Sequence, residues 1–271
     1  MNFSPKFIAL NREASLAQEL VCTGVLALKK ANAAETGLYF KAFFNLSNGM
    51  ERMGKLILIL DYMLENNGSF PSDKELRAIG HDLSTLFECA RKTRKKHAFS
   101  NFAVFPNDQT SKAVIECLAD FAKGSRYYNL DFVTQSKALG KSAGDPITMW
   151  RARVGAPILE QHYSEKRRAK DKALAQEQGS ALDQFSYTLH TSETGSLITS
   201  QVDRLILAAE TKVIQRWAPF YCLRLIRFLA KVIMDLHNEC FSRGIANIPW
   251  MSEHFGKFYN EDDYLKRGSI C

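Results

Sequence analysis

"GMERMGKLILILDYMLENNGSFPSDKELRAIGHDLSTLF", Gly49 to Phe87, holds two helical patterns and the break between them. Met50, Met53, Leu56, Ile57, Leu60 and Leu64 recur in three- and four-residue steps, the apolar stripe of one α-helix face. Glu51 and Lys55 stand one turn apart with the acid first, the order that supports an exposed helix face. Asn67, Gly68 and Pro71 supply stop signals. Ser72, three residues before Glu75, makes a capping-box pattern and opens a short helix through Ile79. Gly80 interrupts, and Asp82 is placed to cap a further helix carrying Leu83, Leu86, Phe87 and Ala90 into a basic run.

The same helical period extends outward in both directions. A helix is expected from Ala14 to about Ala33, with Leu16, Leu20, Val21, Val25 and Leu28 facing inward. The helix through Met50 begins near Thr36, and another runs from about Thr110 to Lys123. "GKSAGDP", Gly140–Pro146, is the strongest boundary, with Asp145 and Pro146 reading as N-cap and first helical residue. A long polar-rich helix to roughly Gln178, a Ser/Thr/Gly-rich loop over 179–199 and helical sequence from Ser200 to Arg243, kinked or split at Pro219, complete the main elements. The tail after Asn247 suggests one or two short helices. Alternating strand patterns are confined to short pieces such as "NFAVF". The fold expected is an all-α helical bundle over residues 1–140, with 141–271 as a C-terminal helical extension or subdomain.

Composition narrows the function. The 271 residues and 46% hydrophobic content support a sizeable buried core. No apolar run reaches the roughly 20 residues of a membrane span, and no signal peptide is evident at the N-terminus. Six widely spaced cysteines without a C-x-x-C pair read as reduced thiols of a cytoplasmic protein. No His/Cys spacing suggests a metal site, and no cofactor-binding loop is present. The net charge of +7 favours a polyanionic partner. The basic residues cluster at Arg91, Lys92, Arg94, Lys95 and Lys96, and again, diluted by acids, from Lys166 to Lys172.

The helix carrying "GMERMGKLILILD", the Gly/Asn-rich turn, "LRAIGHDLSTLF" and a helix leading to "SRYYNLD" together resemble the HEPN superfamily of helical domains, over roughly residues 10–135. Active members of that family are metal-independent ribonucleases, often dimeric, with an arginine followed at a short spacing by a histidine. Arg91 and His97, five residues intervening, satisfy that spacing. The resemblance therefore implies a homodimeric protein of phage defence, toxin–antitoxin or stress response that binds RNA or a nucleotide-linked partner, with Arg91 or Arg126 clamping phosphate and His97 moving the proton. It also admits a helper subunit for a separately encoded nucleotidyltransferase.

Further candidate RNA contacts are Arg94, Lys95 and Lys96, and the "RYYNLD" residues Arg126, Tyr127 and Asn129, which combine a phosphate donor, a stacking ring and an amide. Each has a structural alternative. The Arg91–His97 run also reads as a solvated helix C-terminus, where cations suit the helix dipole. Arg126 and Asp131 also read as an internal ion pair among packed tyrosines. His81, beside Gly80, reads as a histidine in a fixed hydrogen bond. The competing function is a non-enzymatic dimeric helical scaffold that binds a protein partner.

Overall fold

The computed structural model describes residues 3–78, 80–99, 104–142, 144–185 and 187–267. The chain is an all-α helical bundle. Its first layer is a helix pair, α1 (Pro5–Leu28) and α2 (Gly37–Glu65). Ser4 caps α1 through the Phe7 amide at 3.1 Å, and Pro5 takes the first turn, so the helix starts nine residues before the expected Ala14. The pair is antiparallel and unusually close. A Cβ on Gly24 would lie 2.6 Å from Leu46 Cγ, and one on Gly49 would lie 2.6 Å from Val21 Cγ1. Ala14, Ala17, Val21 and Val25 face this seam, whereas Leu16, expected inside, is 42% exposed. Small residues determine which face of α1 lets the backbones approach.

The break after α2 follows the sequence reading. Asn67 and Gly68 adopt φ of 49° and 83°. Ser72 and Glu75 close the capping box at 2.7 and 3.3 Å and open α3 (Asp73–Ala78). Gly80 has φ of 70°, and Asp82 accepts from the Ser84 amide to start α4 (Leu83–Lys96). Next come α5 (Gln109–Lys123), capped by Asp108, and α6 (Tyr128–Val133).

Beyond the expected boundary, Asp145 caps α7 (Pro146–Trp150) through the Thr148 amide at 2.8 Å. The single long helix expected here is divided. A π-helical segment, Arg151–Gly155, leads into α8 (Ala156–His162), and Tyr163 leaves helical geometry before Ser164 caps α9 (Glu165–Asp183). Pro157 lacks an amide donor near the π-turn, which fits the irregular ladder there. The 179–199 loop is helical to Asp183. It then forms a small antiparallel hairpin, in which His190–Thr191 pair with Leu197–Ile198.

The following helix, α10 (Gln201–Ser242), runs unbroken through Pro219. Residues 218–223 are buried, so packing holds the turn that proline weakens. This helix lies against α1, α2, α4, α5, α8 and α9. One buried cluster joins Val21, Leu46 and Leu60 from the first half to Leu223, Phe228 and Leu236 from the second. Residues 141–271 thus extend the bundle and share its core. Two short helices, α11 (Met251–Phe255) and α12 (Asp262–Leu265), cap one end.

Candidate nucleic-acid interface

Helix α4 turns Leu83, Leu86, Phe87 and Ala90 into the core, which leaves its basic C-terminal turns near the surface. Those turns split around the helix. On one side, His97 Nε2 lies 2.6 Å from Asp61 Oδ1 on α2. Lys96 Nζ reaches the same carboxylate at 3.2 Å and also pairs with Glu65, while Thr93 donates to Asp61 Oδ2 at 3.4 Å. The His97 side chain is only 13% exposed. Its ring stacks on Phe99 with centroids 5.2 Å apart. Burial works to lower the pKa of Lys96, but the Glu65 and Asp61 carboxylates outweigh it and raise the pKa above the ordinary lysine value.

On the other side, Arg91, Lys92, Arg94 and Lys95 border a groove of about 800 Å³ that also takes in Phe99 and Phe105. The Arg91 guanidinium sits 4.8 Å over the Phe105 ring and pairs with Glu88 at 2.9 Å. Lys92 and Lys95 are exposed and form no ion pair among the described residues. Four cations and one carboxylate line the groove, with aromatic surface between them, and Arg94 also interacts with the Asp235 carboxyl of α10.

The expected proton-transfer pair is not assembled on one face. Six helical steps place Arg91 and His97 about 120° apart around α4. Arg91 lines the groove; His97 is held by Asp61 on α2. Lys96 is likewise engaged by α2, leaving Lys92, Arg94 and Lys95 as the groove's companions to Arg91.

Arg126, Tyr127 and Asn129 lie elsewhere, after α5. Arg126 forms no ion pair with Asp131 and leans 5.7 Å over the Tyr127 ring. Tyr127 is 60% exposed and Asn129 is exposed, so neither packs the bundle. Arg126 does line a cleft of about 460 Å³ with Glu51, Lys55 and His81. Glu51 Oε1 is 2.7 Å from His81 Nδ1 and 2.9 Å from Lys55 Nζ. Glu51 thus accepts from Lys55, and His81 Nδ1 lies within hydrogen-bond reach of both the Glu51 carboxylate and Lys55 Nζ, the latter at 3.3 Å. Burial alone would raise the pKa of Glu51, but the Lys55 and His81 hydrogen bonds hold it below the ordinary glutamate value. Arg52 meets Glu13 of α1 at 2.6 Å on the same cleft, and Lys123 ties α5 to Asp82 at 3.0 Å.

Glu51, His81 and Arg126, from three separate stretches of the chain, thus converge in space. Sequence reading foresaw the His81 hydrogen bond but not its partner. The Glu51/Lys55 pair marked an exposed helix face, and nothing in the sequence placed that face beside a turn 26 residues on. Chemically, the cleft offers an imidazole oriented by a carboxylate, the arrangement used for proton transfer. The histidine here is 80% exposed.

No family model, curated protein or solved structure matches the chain.

Proposed function

We propose that this protein binds single-stranded RNA along the groove at the C-terminal end of α4. The observation that carries the reading is the pairing of cations with aromatic surface. Arg91, Lys92, Arg94 and Lys95 border a groove that Phe99 and Phe105 also line. Phosphates meet the cations, and bases stack on the rings. With the family resemblance, the reading extends to an RNA-directed role in phage defence, toxin–antitoxin or stress response.

Metal-independent cleavage is the sharper form of the same proposal. For Arg91 and His97 to act together, His97 must leave Asp61 or meet an arginine of a second copy. Labelled RNA incubated in EDTA with the wild-type chain and with His97→Ala tests this. Cleavage lost in the variant supports it; equal cleavage, or none by either protein, removes His97 from the chemistry and leaves binding. Binding itself is tested by fluorescence anisotropy of a labelled single-stranded RNA. Retention by the wild type and loss in Lys92→Ala/Lys95→Ala supports the groove.

A second reading is the dimeric, non-enzymatic scaffold. Tyr127, Leu130, Phe132 and Val133 are 60–80% exposed around α6, a local run of apolar surface. Light scattering that reports a dimer for the wild type and a monomer for Leu130→Asp/Val133→Asp, with no RNA retained by either, favours the scaffold.

A further inference from the structure

Helix α10 carries Arg204, Ala208 and Lys212 at four-residue intervals, one row along the helix. The alanine leaves a depression between two long cationic side chains. Leu207 and Ile198 floor it, and Thr211 and Gln215 border it in a cavity of about 350 Å³. The other walls are the small hairpin, which contributes His190 and Thr191, and the α1–α2 connection at Asn32, Ala33 and Ala34.

Two-residue strands hold such a hairpin weakly by themselves. An anchor beneath holds it in place. Glu193 at its tip is 5% exposed and accepts from Thr211 Oγ1 of α10 at 3.1 Å. The hairpin wall is therefore pinned to α10.

The charge around this cavity is one-sided. Arg204 and Lys212 line it beside the His190 ring, and no carboxylate does; the Glu193 carboxylate behind Thr211 is buried. None of the three forms an ion pair among the described residues. Arg204 Nε donates to Gln201 at 2.6 Å, which leaves the terminal guanidinium nitrogens for a ligand. An apolar floor with a cationic rim matches a molecule with an apolar body and a single anionic end. The volume falls at the lower end of ligand-sized cavities. From this juxtaposition we infer that the cavity between α10 and the 190–198 hairpin binds a small amphipathic monocarboxylate. The carboxylate lies between Arg204 and Lys212, and the alkyl or aryl body lies on Ala208, Leu207 and Ile198. This site is separate from the α4 groove and does not depend on RNA binding.

Calorimetric titration of the full chain with octanoate, octanol and octylamine tests it. Octanoate is expected to bind, octanol about tenfold more weakly for want of charge-assisted hydrogen bonds, and octylamine not measurably. Arg204→Gln/Lys212→Gln, both at exposed positions that folding does not use, should weaken octanoate roughly tenfold and leave octanol unchanged. Ala208→Leu should weaken octanoate and octanol together by filling the floor. Lys92→Ala/Lys95→Ala should retain wild-type octanoate affinity. No octanoate binding, octylamine binding as well as octanoate, or an Arg204→Gln/Lys212→Gln variant equal to wild type overturns the proposal.

Discussion

Removing Lys92 and Lys95 together isolates the electrostatic part of RNA binding from the fold. Both side chains are exposed and form no ion pair among the described residues, so their loss leaves the core intact. The groove presents four cations, Arg91, Lys92, Arg94 and Lys95. If each neutralises one phosphate of a single strand, log K falls with log salt at a slope of about −2.8. Raising salt from about 50 to about 200 mM then weakens binding about fifty-fold. Arg91 shares its guanidinium with Glu88, and Arg94 interacts with the Asp235 carboxyl of α10, so four is the upper count. In Lys92→Ala/Lys95→Ala two contacts remain, the slope halves to about −1.4, and the same salt step costs only about sevenfold. Anisotropy titrations at four salt concentrations measure the slope, with circular dichroism confirming that the helices are retained. A variant slope equal to wild type would place the RNA elsewhere. Absence of binding at the lowest salt would refute the groove altogether.

The remaining predictions concern the contacts that hold these surfaces in place. Asp61→Ala removes the acceptor shared by His97, Lys96 and Thr93 and should cost about 1–3 kcal/mol, read as a lowered midpoint in chemical denaturation; an unchanged midpoint would mean that these contacts contribute nothing net. Gly49→Ala places a Cβ 2.9 Å from the Val21 backbone nitrogen. That overpacking, about 1–3 kcal/mol, should outweigh the roughly 1 kcal/mol gained in helix propensity. Gly37→Ala, whose Cβ meets nothing within 4 Å, should not destabilise, and the pair of melting curves checks the contrast. Asp108 accepts from the Ser111 amide at 2.8 Å and pairs with Arg224 of α10 at 2.7 Å. Burial would raise its pKa, but these contacts hold it below the ordinary aspartate value. Its contribution is therefore full above the unfolded aspartate pKa of about 3.9 and is lost as pH falls through the depressed folded value. Asp108→Asn should flatten the acid side of the thermal-midpoint profile, and a profile identical to wild type would show that the bridge carries no pH-dependent stability.

Much of the fold was legible because its determinants are local. The apolar period of Met50 to Leu64, the Ser72–Glu75 box and the caps at Asp82 and Asp145 act within one or two turns, and each appears as written. The failures share a cause. Leu16 is as apolar as Val21, yet the seam chose the face bearing Ala14, Ala17 and Gly24 because α2 needed to come close. Pro219 reads as a kink or a split, and the helix is not split there, because a helix buried around that turn tolerates a missing hydrogen bond. The helix after Pro146 reads as continuous, and the π-turn that divides it left no unambiguous mark in the periodicity.

The candidate sites divide in the same way. From sequence alone, Arg91, Lys92, Arg94, Lys95 and Lys96 formed a basic cluster at a helix end, and only the packing on α2 took Lys96 out of the groove. Whether His97 joins the cluster was likewise beyond the sequence. Its partner Asp61 lies 36 residues earlier, and only the packing of α4 on α2 brings it to 2.6 Å. The same holds for His81 on Glu51 and for Glu193 beneath its hairpin, 18 residues before Thr211. Sequence by itself determined the helical class, the caps and the location of charge along the chain, since these follow from local hydrogen bonding and periodic burial. Tertiary structure alone decided which charges meet, because a side chain's partner depends on the packing geometry of two surfaces, and that geometry is set by residues far apart in the chain.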